Sequence, residues 1–183
     1  MLRDESNAII VALATKLKES GSWCGETHLQ KTSYFLREMM DVPLAYDFIL
    51  YKHGPYSFDL TDEITALRAD RILGLQPKGN YGPSIVSGDN IKWYLNKYAD
   101  TIDKYKNQVD FVANLLADKK VVDLEQLGTA LYVTREGTAG LDVEIRAKRL
   151  NELKPHVTLD DARKAVMNID EYLISAEPLK VQN

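Results

Sequence analysis

A chain of 183 residues is long enough for one domain or two small ones, and at that size about two-thirds of the unfolded surface is expected to be buried. With 45% hydrophobic and 27% charged residues the composition is that of an ordinary globular protein, and a formal charge of −4 lacks the basic excess of a typical nucleic-acid binder. The single cysteine, Cys24, excludes an intrachain disulfide and a cysteine-cluster metal site. No apolar run approaches the ~20 residues of a membrane span. The start, Met1-Leu2-Arg3-Asp4-Glu5, lacks the apolar region of a signal peptide, so a cytoplasmic location is expected.

Ile9, Ile10, Leu13, Ala14 and Leu17 recur at helical spacing over residues 4–18, and Gly21-Ser22-Trp23-Cys24-Gly25 breaks that pattern. A second helix is expected from Thr27, with Gln30 completing a capping box, to Met40, with Pro43 marking its end. Residues 46–51 are aromatic and β-branched enough for a short strand, which Gly54-Pro55 is expected to stop. Ser57 can cap a helix over residues 57–70, with Asp59, Asp62 and Glu63 in or near its first turn and Leu60, Ile64 and Leu67 along its apolar face. Residues 72–75 and 84–86 then read as the two strands of a wing around a Gly- and Pro-rich tip.

The second half is helical. Tyr98, Ile102, Tyr105, Val109, Val112 and Leu116 alternate in steps of four and three, a seam that packs on another helix within the chain or across a homodimer formed by residues 98–116. Asp123, with Gln126 at the capping-box position, opens the next helix, which Gly137-Thr138-Ala139-Gly140 ends. A shorter helix from Leu141 to Leu153 halts before Pro155, Thr158 caps a last one, and the tail after Ala176 is expected to be loose. There is no internal repeat or low-complexity tract. The expected fold is α+β and mostly helical: a winged-helix-like domain over residues 1–96, a helical domain over residues 97–176, and the tail 177–183.

Leu29-Gln30-Lys31-Thr32-Ser33-Tyr34-Phe35-Leu36, followed by Tyr51-Lys52-His53-Gly54-Pro55-Tyr56-Ser57-Phe58-Asp59-Leu60, resembles the pattern of the bacterial and archaeal YwgA-like proteins and, more distantly, of Panacea-domain antitoxins and SocA-like proteins. The resemblance extends into Leu127-Gly128-Thr129-Ala130-Leu131-Tyr132 and Leu153-Lys154-Pro155-His156-Val157, so it covers most of the chain. His53 stands where a Tyr precedes the Gly-Pro in many relatives. The resemblance implies a winged-helix-like core with appended helices and no enzymatic activity.

Catalytic and metal chemistry find little support in the residue spacing. Cys24 and His28 are four apart, the one pair that suggests a nucleophile and base, but a loop cysteine and a first-turn histidine explain them without chemistry. His28, His53 and His156 are scattered, with no partner at ligand spacing, and no phosphate loop or cofactor motif occurs. Binding remains. The favoured reading is a non-enzymatic regulatory or protein-interaction module, with an antitoxin-like role implied by the resemblance, using Lys52, His53, Tyr56, Asp59, Asp62 and Glu63 against a partner protein. The alternative is a winged-helix DNA-binding regulator, for which Lys31, Arg37, Arg68, Lys78 and Tyr81 are the candidate contacts. A hydrolase using Cys24 comes third. The carboxylates of the central helix would be repelled by phosphate with no adequate cationic surround, which argues against DNA.

Overall fold

In the computed structural model the described residues are 1–79, 81–137 and 142–180. They form an α+β, mostly helical protein in which two small hairpins decorate a helical body. Helix α1 (Arg3–Glu19) is its axis. Ile9, Ile10, Val11, Leu13 and Leu17 are all fully buried, so this helix is enclosed along most of its length. Asp4 and Glu5 in its first turn and Lys16 and Lys18 in its last complement the dipole.

Helix α2 (Glu26–Glu38) begins one residue after Gly25, so the box expected at Thr27 and Gln30 does not form. Gln30 turns sideways instead. Its amide donates to the Ser57 carbonyl at 2.8 Å and accepts from the Ser57 N–H at 3.0 Å, tying α2 to the start of the third helix. Strands β1 (Ile49–Tyr51) and β2 (Gly54–Tyr56) pair with each other, with Tyr51 opposite Gly54. Gly54-Pro55 therefore opens the return strand rather than stopping the first. Proline is tolerated there because both strands of a two-stranded hairpin are edges.

Ser57 caps α3 (Phe58–Ala69) as expected, accepting from the Leu60 N–H at 3.3 Å. Leu60, Ile64 and Leu67 face the core. Strands β3 (Leu73–Lys78) and β4 (Tyr81–Ser87) form the second hairpin with Leu75 opposite Ile85. Gly88 closes it, and a Cβ there would lie 2.1 Å from the Arg71 carbonyl oxygen, a position only glycine can take.

The seam residues do not share one helix. The chain turns at Tyr98 and again at Tyr105, giving α4 (Ile91–Lys97), α5 (Ala99–Lys104) and α6 (Lys106–Leu116). Both tyrosines leave helical geometry without a glycine or proline, and the three segments wrap around α1 where a straight helix would pass it by. Tyr105, Val109, Val112 and Leu116 are buried within the chain, against α1 and α2.

Helix α7 (Val121–Arg135) starts two residues ahead of Asp123, whose carboxylate accepts from the Lys120 N–H at 3.1 Å and so caps backwards. The expected start of the next helix at Leu141, and the break at Thr138, Ala139 and Gly140, lie outside the described residues. Helices α8 (Val143–Leu153) and α9 (Leu159–Ala176) pack on each other and on α7. Thr158 caps α9, accepting from the Asp161 N–H at 3.1 Å. The tail is not loose at its beginning: Glu177–Leu179 form a 3-10 turn, and the Leu179 carbonyl accepts from the Gln108 side-chain amide at 2.6 Å.

One connected apolar core runs from Ala8 to Ala176 through both halves of the sequence. No helix among the described residues is long and apolar enough to cross a membrane. Val109→Asp places a carboxylate among Val112, Leu116 and α1, and should cost on the order of 3 kcal/mol or more in urea unfolding. An unchanged midpoint, or conversion of a dimer into a folded monomer, would move this stripe from the core to an interface.

Candidate functional site

The β1–β2 hairpin turns through Lys52 and His53, and Gly54 carries a φ of +86°, the left-handed residue that completes such a loop. The hairpin also packs closely on what lies behind it. A Cβ on Gly54 would sit 3.4 Å from both the Glu125 carbonyl oxygen and Lys31 Cε, and one on Gly128 would sit 3.1 Å from Pro55 Cδ. Hairpin and α7 thus touch backbone to backbone.

Buried charge holds them there. Lys31 on α2 is 2% exposed and donates from Nζ to the Pro55 carbonyl at 2.7 Å. Lys154, just past the end of α8, is also buried and donates to the Tyr51 carbonyl at 2.8 Å and to that of Lys52. Two ammonium groups therefore hold three backbone carbonyls of the hairpin, those of Tyr51, Lys52 and Pro55. Their counter-charge is Glu125 on α7, itself 7% exposed, with Oε1 3.5 Å from Lys154 Nζ. His53 Nδ1 lies 3.6 Å from Oε2 and His156 Nε2 lies 3.4 Å from Oε1, both imidazoles standing at the solvent edge. Oε1 is buried without a hydrogen-bond partner, so its environment is set by charge. Burial lowers the Lys31 ammonium to about 8; Glu125 opposes that shift and Lys154 reinforces it.

On its outer side the hairpin joins the start of α3 in an aromatic patch. The Tyr51, Tyr56 and Phe58 rings contact one another with centroids 5.0–5.9 Å apart. Tyr51 is 53% and Phe58 54% exposed, and Ile49 beside them is 48% exposed. This is a rigid, half-wet cluster of the kind that carries binding energy in interfaces.

Of the residues expected to meet a protein partner, Lys52, His53 and Tyr56 belong to this hairpin. Asp59, Asp62 and Glu63 follow on α3. Their charge is not unattended: Arg3 of α1 lies 4.0 Å from Asp59 and 3.4 Å from Glu63, and Asn7 donates to Glu63 at 2.6 Å. Arg3, far away in sequence, thus adds a cation beside carboxylates for which the sequence pattern offered no adequate cationic surround. Asp62 remains exposed.

Among the residues expected to touch DNA, Lys31 is buried beneath the hairpin and out of reach of a phosphate. Arg37 donates to the Tyr46 carbonyl and lies within 3.4–3.5 Å of Glu38 and Asp47. Arg68 is exposed near the end of α3. The side chains of Lys78 and Tyr81 lie outside the described residues.

Cys24 and His28 do not form a nucleophile–base pair. Burial pushes the Cys24 thiol up to about 12, and Sγ donates to the Ala14 carbonyl at 3.7 Å. His28 donates from Nε2 to the Leu116 carbonyl at 3.0 Å, with Ser22 Oγ 3.4 Å from Nδ1. Among the described residues no group of three His, Cys, Asp or Glu side chains is arranged to hold a metal ion. The residues that sequence reasoning missed are Glu125, Lys154 and His156. The only signal was that Lys154-Pro155-His156 recurs in the family resemblance, where no role attaches to it.

The depressed Lys31 pKa makes stability depend on pH in a definite direction. Below about 8 the folded chain bears the full cost of a buried ammonium. Between about 8 and the ordinary value of 10.5 the unfolded chain holds a proton that the folded chain has released, so folding gains stability as pH rises. Wild-type unfolding free energy should therefore rise relative to that of Lys31→Met between pH ~7.5 and ~9.5, by on the order of 2 kcal/mol. Urea denaturation of both proteins across that range measures it, and parallel pH profiles would show that Lys31 is not desolvated by the hairpin.

The chain matches no protein-family model and no curated protein, so the functional reading rests on this geometry.

Proposed function

We propose that the chain is a non-enzymatic, cytoplasmic regulatory module of winged-helix-like build, which acts by binding another protein through the β1–β2 hairpin and the start of α3. The helix order supports that build. The Ile85 N–H donates to the Cys24 carbonyl at 2.8 Å and Ser84 Oγ donates to the Trp23 carbonyl at 2.6 Å, so the segment between α1 and α2 lies alongside the wing as a minimal first strand. On this reading α1, α2 and α3 are the three helices, β3–β4 the wing, and β1–β2 an insertion between the second and third helix. The helical second half then braces the insertion from below through Glu125 and Lys154.

The observation that carries the function is the exposed ring cluster Tyr51–Tyr56–Phe58 on a hairpin held by buried charge. Burying one such ring contributes about 1.5–3 kcal/mol, and a hairpin already fixed loses little entropy on docking. Asp62 and the partly neutralised Asp59 favour basic residues on the partner. An antitoxin-like role, with a toxin as the partner, rests on the motif resemblance alone. DNA is the weaker reading, because the exposed carboxylates lie on the helix that would enter the groove and Lys31 is withdrawn from the surface.

A photo-crosslinking residue in place of Tyr51, used in extract of the source cells, should capture a partner that the same group at exposed Lys148 does not. With that partner purified, Tyr51→Ala and Phe58→Ala should each weaken binding at least tenfold while leaving the unfolding midpoint in place. Equal capture at both positions, or tight, salt-sensitive binding of duplex DNA by the wild type at about 0.15 M salt, would overturn this function.

A further inference from the structure

A cleft of about 480 Å³ opens between α3, α4 and the first turns of α1. Its apolar floor is Leu67 and Ile72, each 3% exposed. One wall is aromatic. Trp93 and Tyr94 lie with ring centroids 6.3 Å apart, and Tyr94 and Tyr98 5.0 Å apart. Trp93 is 62% exposed, a large indole left in water at the cleft's edge.

Three carboxylates stand in the rest of the lining, together with Asn7, Asn90 and Lys97. Asp4 comes from α1, where its carboxylate accepts from the Tyr98 hydroxyl at 3.3 Å. Glu63 and Asp70 come from α3, with Glu63 partly balanced by Arg3. Asp70 is the C-cap of α3, and a carboxylate there opposes the negative end of the helix dipole. It therefore costs the fold something, and a cation in the cleft would reverse that sign. The Tyr94 phenol registers the same field: after burial and Tyr98, the charges of Asp4, Glu63 and Asp70 all push its pKa upward.

An ammonium already sits against these rings. Lys97 Nζ is 5.6 Å from the Trp93 ring centroid and 4.9 Å from that of Tyr98, within the range of cation–π attraction. It is tethered to α4, leaving the acidic side of the cleft to be filled. Rings that attract cations, carboxylates in the same cleft and the apolar Leu67 and Ile72 together favour an organic cation over a metal ion or an anion.

We propose that this cleft binds a small organic cation, an alkylammonium or quaternary ammonium group, with Trp93 and Tyr98 against the charged head and Asp4 and Asp70 as its counter-charges. Lys97 is the internal occupant that such a ligand displaces from the rings. The site is separate from the aromatic hairpin and does not depend on the partner reading.

The test uses the full chain with 1,4-diaminobutane and choline as probes, at constant ionic strength, following the Trp93 indole N–H signal by nuclear magnetic resonance. Trp93→Phe identifies which of the two indole signals it is. The signal should shift saturably with both probes and not with potassium chloride. Lys97→Met, which removes the internal competitor, should tighten binding at least threefold, and Asp70→Asn should weaken it at least threefold with an unchanged spectrum elsewhere. Shifts equal to those from potassium chloride, or binding that Lys97→Met weakens or leaves unaltered, would overturn the site. A lysine-containing tripeptide that binds more tightly than both probes would assign the cleft to a protein side chain, and would overturn its assignment to a small molecule.

Discussion

A carboxylate removed from water is tolerated only while its counter-charges stay in place, and Glu125 keeps its counter-charges on two other elements. Lys154 follows α8 and Lys31 belongs to α2; both ammonium groups donate to carbonyls of the hairpin. Removing one member of such a set leaves a buried charge uncompensated, which costs about 3–5 kcal/mol, far more than an exposed pair contributes. The arrangement therefore acts less as added stability than as a constraint on where the hairpin can lie. Gly54 and Gly128 make it possible by letting backbone approach backbone closely enough for the lysines to reach.

This constraint links the two halves of the sequence. A hairpin contributed by residues 49–56 is positioned by the side chains of Glu125 and Lys154 and by Lys31 of α2. An isolated two-stranded hairpin is marginal in water, so these side chains decide whether Tyr51, Tyr56 and Phe58 stand as a preformed patch or as a mobile loop. His53 and His156 sit at the solvent edge of the same carboxylate. Surface and core are thus one unit at this place, and a change beneath the hairpin is felt by whatever docks on it.

Much of this architecture was legible in the residues, for reasons that apply locally. The Ser57 and Thr158 caps, the Leu60–Ile64–Leu67 face and the pairing of residues 72–75 with 84–86 all follow from short-range geometry. The polar cluster was not legible. Every residue of α2 from His28 to Leu36 is buried, so Gln30 and Lys31 occupy interior positions that apolar periodicity assigns to solvent. Glu125 is hidden in the same way beside Leu124 and Leu127. Capping boxes at Thr27 and Asp123 failed because the first helical residue was set by the chain's approach, at Gly25 and Lys120, where side-chain pattern carries little information. The breaks at Tyr98 and Tyr105 follow the curvature of the α1 surface, a tertiary demand with no local residue to announce it.

Amide hydrogen exchange of residues 49–56 in wild type and in Glu125→Gln, at matched pH and well below the unfolding transition, tests most directly whether buried charge pins the hairpin. Loss of the carboxylate should accelerate exchange across the hairpin at least tenfold more than across α1 and α6, because the two ammonium groups lose their shared counter-charge before the apolar core is disturbed. Exchange that is unchanged at the hairpin, or accelerated equally everywhere, would contradict a pinned hairpin and leave the aromatic patch without its support.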